Sequence, residues 1–288
     1  MAHAAEGAYY VPAPSRWPII GSVGLFTLMF GAASMLNGWS SGWVLYLGVA
    51  ILLYMVFSWF GQVIGENQQG MFNAQVDRSF RWGMSWFIFS EVMFFAAFFG
   101  ALFYTRQLSV PWLAGSGDGF WTNLLLWKGY EGAWPTNGPG GVGGAYESMY
   151  WWPIPAVNTA LLLTSGATIT VAHWALKMEK RTVLNVFMAL TILLGVTFLS
   201  LQAFEYHHAY TELNLTLGAG VYGSTFFMLT GFHGMHVTLG AIMLCVILGR
   251  CMKGHFTAER HFAFEAVAWY WHFVDVVWLG LFIFVYLL

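Results

Sequence analysis

Glu91 stands in the run RWGMSWFIFSEVMFFAAFFGALF, ten residues beyond Arg81. At about 1.5 Å per helical residue it lies about 15 Å along a helix, near the middle of a bilayer core about 30 Å thick. Its helical neighbours Phe87, Ile88, Phe94 and Phe95 penalise a bare carboxylate, so the group must keep its proton or find a partner. Two readings follow: a protonatable carboxyl in an aromatic shell that serves proton movement, or a neutral Glu hydrogen-bonded to another helix for structural reasons.

The closing run HFAFEAVAWYWHFVDVVWLGLFIFVYLL carries Glu265, His272 and Asp275 inside an apolar segment. Ionisable groups are costly in lipid, and positions 265, 268, 272 and 275 share one helical face, so they are expected to form a polar stripe facing protein. His233 and His236, beside Gly231, Gly234 and Gly240, predict hydrogen bonds across a tight helix contact. A metal or haem site is the alternative, since His is a common ligand. The Glu-x-x-His repeat of di-iron bundles is missing, and no metal site is expected. Glu205, Tyr206, His207 and His208, which follow the fifth apolar stretch, predict a solvated or subunit-contacting cluster, and His173 is read in the same way. Cys245 and Cys251 match neither a redox pair nor a zinc spacing and are read as structural thiols.

These residues need long apolar elements to hold them. The 288 residues are 58% hydrophobic, 19% aromatic and 8% charged, a balance that belongs to a membrane protein. A net charge of -2 gives no basic field for a nucleic-acid partner. Seven apolar stretches reach membrane-spanning length, near residues 17–36, 43–64, 82–104, 155–176, 183–204, 221–248 and 264–287. The fold class is therefore all-α and polytopic. The polar and Pro-containing start shows no small-residue cleavage site after the first apolar run, so that run is expected to be an uncleaved anchor.

Nine of the eleven Lys and Arg residues fall on alternate connections: Arg16; Arg78 and Arg81; Lys177, Lys180 and Arg181; Arg250, Lys253 and Arg260. Arg106 and Lys128 occupy the other side. Positive loops stay inside, which puts the N-terminus inside and the C-terminus outside. The connection from about 107 to 153, with PTNGPGGVGG at its centre, is too broken to span and reads as a long external loop. Its Trp121, Trp127, Trp134, Trp151 and Trp152 suit an interfacial belt. A proton-coupled transporter using Glu91, His272 and Asp275 as a relay is an alternative, disfavoured because the chain shows no internal repeat.

The strings SEVMFFAAFF, VYGSTFFMLTGFHGMHV and FAFEAVAWYWHFVDVVWL, supported by VNTALLLTSGATIT, AHWAL and LQAFEYHH, closely resemble cytochrome c oxidase subunit III, in order and over almost the whole chain. The resemblance implies an accessory subunit of an aa3-type oxidase that binds no haem or copper itself. Haem a and copper lie in its partners, subunits I and II, with cytochrome c as donor to the complex. It implies two helices (1–64) splayed from a five-helix bundle (80–288), with phospholipids in the cleft. Glu91 matches the family's membrane-embedded glutamate, either in the lipid cleft or related to proton uptake. His233, His236, Glu265, His272 and Asp275 match characteristic positions with structural or contact roles.

The chain departs from many mitochondrial members at WFGQVIGE, where Gly61 and Gly65 stand in place of two basic residues. Arg78 and Arg81 then become the expected lipid-headgroup contacts. The long Gly-rich loop suggests a bacterial form in the plasma membrane. A quinol oxidase subunit III remains the nearest alternative, resembling a five-span form.

Overall fold

The computed structural model describes residues 14–288, and every regular element among them is helical. Among the described residues, seven helices are long and apolar enough to cross a membrane. They are α1 (Trp17–Leu36), α2 (Trp43–Gln68), α3 (Ala74–Tyr104), α4 (Ile154–Lys177), α5 (Arg181–Thr211), α6 (Gly220–Met252) and α7 (Phe262–Leu281). Several outrun their apolar stretches: α3 begins at Ala74 rather than Trp82, α2 continues to Gln68, and α5 continues to Thr211. Backbone hydrogen bonding does not stop at the hydrocarbon boundary, whereas the hydropathy signal does. A wider π-helical turn, Thr105–Ser109, and a last short turn carry α3 on to Leu113.

The chain divides into two compact units, with the boundary between Trp82 and Gly83. In the first unit, α1 and α2 form a hairpin whose backbones touch. A Cβ on Gly31 would fall 2.3 Å from the Leu45 nitrogen, and one on Gly48 would fall 2.4 Å from the Leu28 nitrogen. Small residues permit such an approach where no aqueous hydrophobic effect drives helices together. Trp17 closes the hairpin, its indole N–H donating to Gln62 Oε1 at 2.7 Å. The outward faces are apolar, with Phe26, Leu36 and Phe57 all exposed, as a lipid-facing surface requires.

In the second unit, α4 packs on α5, α5 on α6, and α6 and α4 on α7. Trp271 of α7 is the central wedge and is fully buried. A Cβ on Gly195 of α5 would lie 2.7 Å from its ring, and one on Gly240 of α6 would lie 2.8 Å from it. Two helices thus give up side chains to admit one indole, whose N–H donates to Ser165 Oγ of α4 at 2.9 Å. Two turns further on, the Trp278 N–H donates to Thr159 Oγ1 at 2.9 Å. Gly234, by contrast, has nothing within 4 Å of a built Cβ, so the expected tight contact forms at Gly240 and not along the whole glycine series.

The connection after α3 is partly helical, with a short helix at Phe120–Leu126. The Asn123 amide braces it by donating to the carbonyls of Leu113, Trp127 and Tyr130 at 3.0–3.2 Å. Further along, the chain folds back on the start of α6. The Tyr222 N–H donates to the Thr136 carbonyl, and the Tyr146 ring stacks on Tyr222 at 5.6 Å. Trp134 packs edge-on against the same Tyr222 instead of joining a surface belt.

Candidate proton-bearing site

Glu91 of α3 and His236 of α6 meet inside the second unit, Oε2 to Nε2, at 2.9 Å. The other ring nitrogen of His236, Nδ1, lies 2.6 Å from the Phe232 carbonyl one turn back. A carbonyl only accepts, so Nδ1 carries a hydrogen and donates. The Nε2 contact then has two possible fillings. Either a protonated Glu91 donates to a neutral ring, or an imidazolium donates to a carboxylate. In both cases one proton sits between the two heavy atoms and the pair has no net charge. Such a neutral pair avoids the cost of burying one uncompensated ion.

Aromatic rings wall the pair. Phe94 and Phe95 lie 5.8 and 5.0 Å from the His236 ring, and Phe94 packs on Phe232 at 5.0 Å. Tyr270 of α7 covers the other side of the imidazole, and its hydroxyl donates to the His236 carbonyl at 3.3 Å. The burial is uneven: the side chain of His236 is 6% exposed, while that of Glu91 is 22% exposed. The histidine is therefore sealed in the bundle, and the carboxyl is the end of the pair that the surroundings can reach.

His233 bonds differently from His236. Its Nε2–H donates to the Val274 carbonyl of α7 at 3.2 Å, and its ring packs against Trp278 at 5.1 Å and Phe198 at 5.7 Å. The two histidines, three residues apart on α6, thus reach two different helices.

The stripe on α7 faces α4. Asp275 is buried against Gly166, where a Cβ would lie 2.3 Å from Asp275 Oδ2. His272 lies 3.7 Å from Asp275 through Nδ1 and 3.3 Å from Thr170 Oγ1 through Nε2. Glu265 approaches His173 of α4 and His261, the residue just before α7. His261 and Thr170 escaped the sequence reading, because one lies outside the helical run and the other is an unremarkable Thr in α4. No local pattern ties Thr170 to His272, 102 residues away, whereas His261 stands only four residues before Glu265, a helical spacing that could have flagged it.

The expectation for Glu205 is corrected. It is 1% exposed, and Tyr286 donates to its Oε1 at 2.7 Å, while Tyr206 meets Thr230 at 2.6 Å. Because α5 runs on to Thr211, Glu205 lies nearly two turns inside the helix end and faces the bundle. His208 behaves as expected of a surface residue, 3.2 Å from Glu212. In the first unit Arg78 is exposed, and Arg81 pairs with Asp77 at 2.8 Å across one turn.

The family described as Cytochrome c oxidase subunit III matches residues 7–116 and 132–288. The unmatched interval, 117–131, contains the short helix of the long connection. Cytochrome c oxidase subunit 3 of Formosania lacustris is 41% identical over 287 residues, 99% of this chain and 98% of the relative. The proteins of the same name from Cyprinus carpio and Squalus acanthias are each 40% identical over the same shares.

Proposed function

Because the chain belongs to the cytochrome c oxidase subunit III family, we propose that it is the accessory, non-redox subunit of a respiratory oxidase that reduces oxygen to water and translocates protons. Its partners are oxidase subunits I and II, which hold haem a and copper, with cytochrome c as the donor to the complex. The full-length match to proteins named for cytochrome c oxidase disfavours the quinol oxidase alternative. We place the chain in a bacterial plasma membrane, N-terminus inside. The basic residues of alternate connections support that orientation.

Within that role, the Glu91–His236 pair carries the reading. One proton held in an aromatic shell, with the carboxyl partly open, can be loaded or released at Glu91 while His236 stays anchored to the Phe232 carbonyl. We assign Glu91 to support of proton uptake by the neighbouring catalytic subunit. His233, Glu265, His272 and Asp275 lock α6, α7 and α4 together. Phospholipids lie against the apolar faces, with Arg78 and Arg81 available to headgroups.

The test is a Glu91→Gln variant in the purified complex, followed for proton uptake rate and for activity lifetime during turnover. Gln keeps a hydrogen bond to Nε2 but cannot exchange the proton, so slower uptake and earlier inactivation are expected. Wild-type values for both would reduce Glu91 to a structural hydrogen-bonder.

A further inference from the structure

A second polar cluster lies where α4 ends and α7 begins. Lys177, Lys180, Arg181 and Lys253 mark the same end of their helices. Here Nε2 of His173, Nε2 of His261 and a carboxylate oxygen of Glu265 converge, with all three ligand atoms within 4.8 Å of one another. His261 Nδ1 faces the Thr257 carbonyl at 3.1 Å and donates to it, so in the neutral ring, the form that can bind a metal, Nε2 is a lone-pair nitrogen. That lone pair points at Glu265 Oε1, 3.3 Å away, and the nitrogen makes no hydrogen bond.

Two acceptors that face each other in a buried place repel unless a cation lies between them. A shared proton draws such atoms to about 2.7–2.9 Å. The separations here are 3.3 Å from His261 to Glu265 and 3.5 Å from His173 to Glu265. Those are the edges of a tetrahedron whose metal–ligand bonds are about 2.0–2.2 Å, which places ligand atoms about 3.3–3.5 Å apart. We propose that His173, His261 and Glu265 form a binding site for one zinc ion, two imidazoles and one carboxylate, with water in the fourth position.

The donor set suits zinc, a borderline-soft ion that takes nitrogen and oxygen ligands together. Access suits a reversible site: His261 is 6% exposed and anchors the floor, while His173 and Glu265, at 21% and 12%, open toward the surface at the end of the bundle. The ion would tie the end of α4 to the start of α7, so its effect is on the coupling of those helices. The inference is independent of the role assigned to Glu91.

The complex containing this chain is to be imaged by electron cryomicroscopy after incubation with zinc, and again after chelation. A zinc-dependent density peak within bonding distance of the three ligand atoms is expected, and its absence at saturating zinc overturns the site. In parallel, zinc per complex is counted by mass spectrometry for wild type, His173→Gln and His261→Gln. Each variant should bind one zinc fewer; wild-type stoichiometry in either also overturns the site. The imaging arm needs no variant, so a substitution that blocks assembly leaves the proposal testable.

Discussion

Nε2 of His236 lies 2.9 Å from Oε2 of Glu91 while Nδ1 of the same ring donates to the Phe232 carbonyl, so a single exchangeable proton joins α3 to α6. The bond spans 145 residues of sequence and brings the mid-helix carboxyl into register with a ring held by its own helix. The contact is thus both a clasp and a proton-bearing group.

As a clasp it has a measurable strength. In a double-mutant cycle of Glu91→Leu and His236→Leu, thermal unfolding of the purified complex should show a coupling of about 1 kcal/mol, within the range of helix–helix hydrogen bonds in membranes. A coupling of zero would mean that the two groups are neighbours without a bond.

The Trp271 wedge predicts a contrast among glycines. Gly195→Ala and Gly240→Ala each drive a Cβ into the indole at 2.7–2.8 Å, and overpacking of that kind costs about 1–3 kcal/mol. Gly234→Ala meets nothing within 4 Å and should be neutral or gain a few tenths of a kcal/mol from helix propensity. Melting temperatures of the three variants, measured side by side, check the order.

The α1–α2 hairpin predicts the same kind of contrast in the first unit. Gly31→Ala and Gly48→Ala place a methyl group against backbone, which has nowhere to move, and should separate the helices. Gly61→Ala and Gly65→Ala point into open space and should leave the hairpin intact. Disulfide trapping between cysteines introduced on α1 and α2 reports the separation, with slower cross-linking expected only for the first pair.

The long connection should loosen in strong alkali. Burial, with Tyr130 nearby adding to it, pushes the Tyr146 phenol up to about 12 from its ordinary 10. A raised value means that the neutral phenol is favoured in the docked loop. Its contribution is therefore complete below pH 10 and is lost as pH rises through about 12. Proteolysis of the loop should accelerate over that window in wild type and less so in Tyr146→Phe. An equal response would show that other groups control the docking.

Much of the architecture was legible from local pattern. Seven apolar stretches became seven helices because lipid forces every backbone group to bond within its own segment, so hydropathy and length suffice to find them. The stripe of Glu265, His272 and Asp275 could be read from helical spacing, and its facing residues, Gly166, Thr170 and His173, repeat a matching spacing on α4. Glu205 was misread because the apolar signal fades before the helix ends.

The sequence by itself determined the spans, their polar exceptions and the family resemblance, since each is carried by residues close together in the chain. Only the tertiary structure decided that Glu91 meets His236, that His233 serves a backbone carbonyl, and that His261 joins His173 at Glu265. Those pairings depend on how packed helices cross, which is set by Trp271 between Gly195 and Gly240 and by other contacts between residues far apart in sequence.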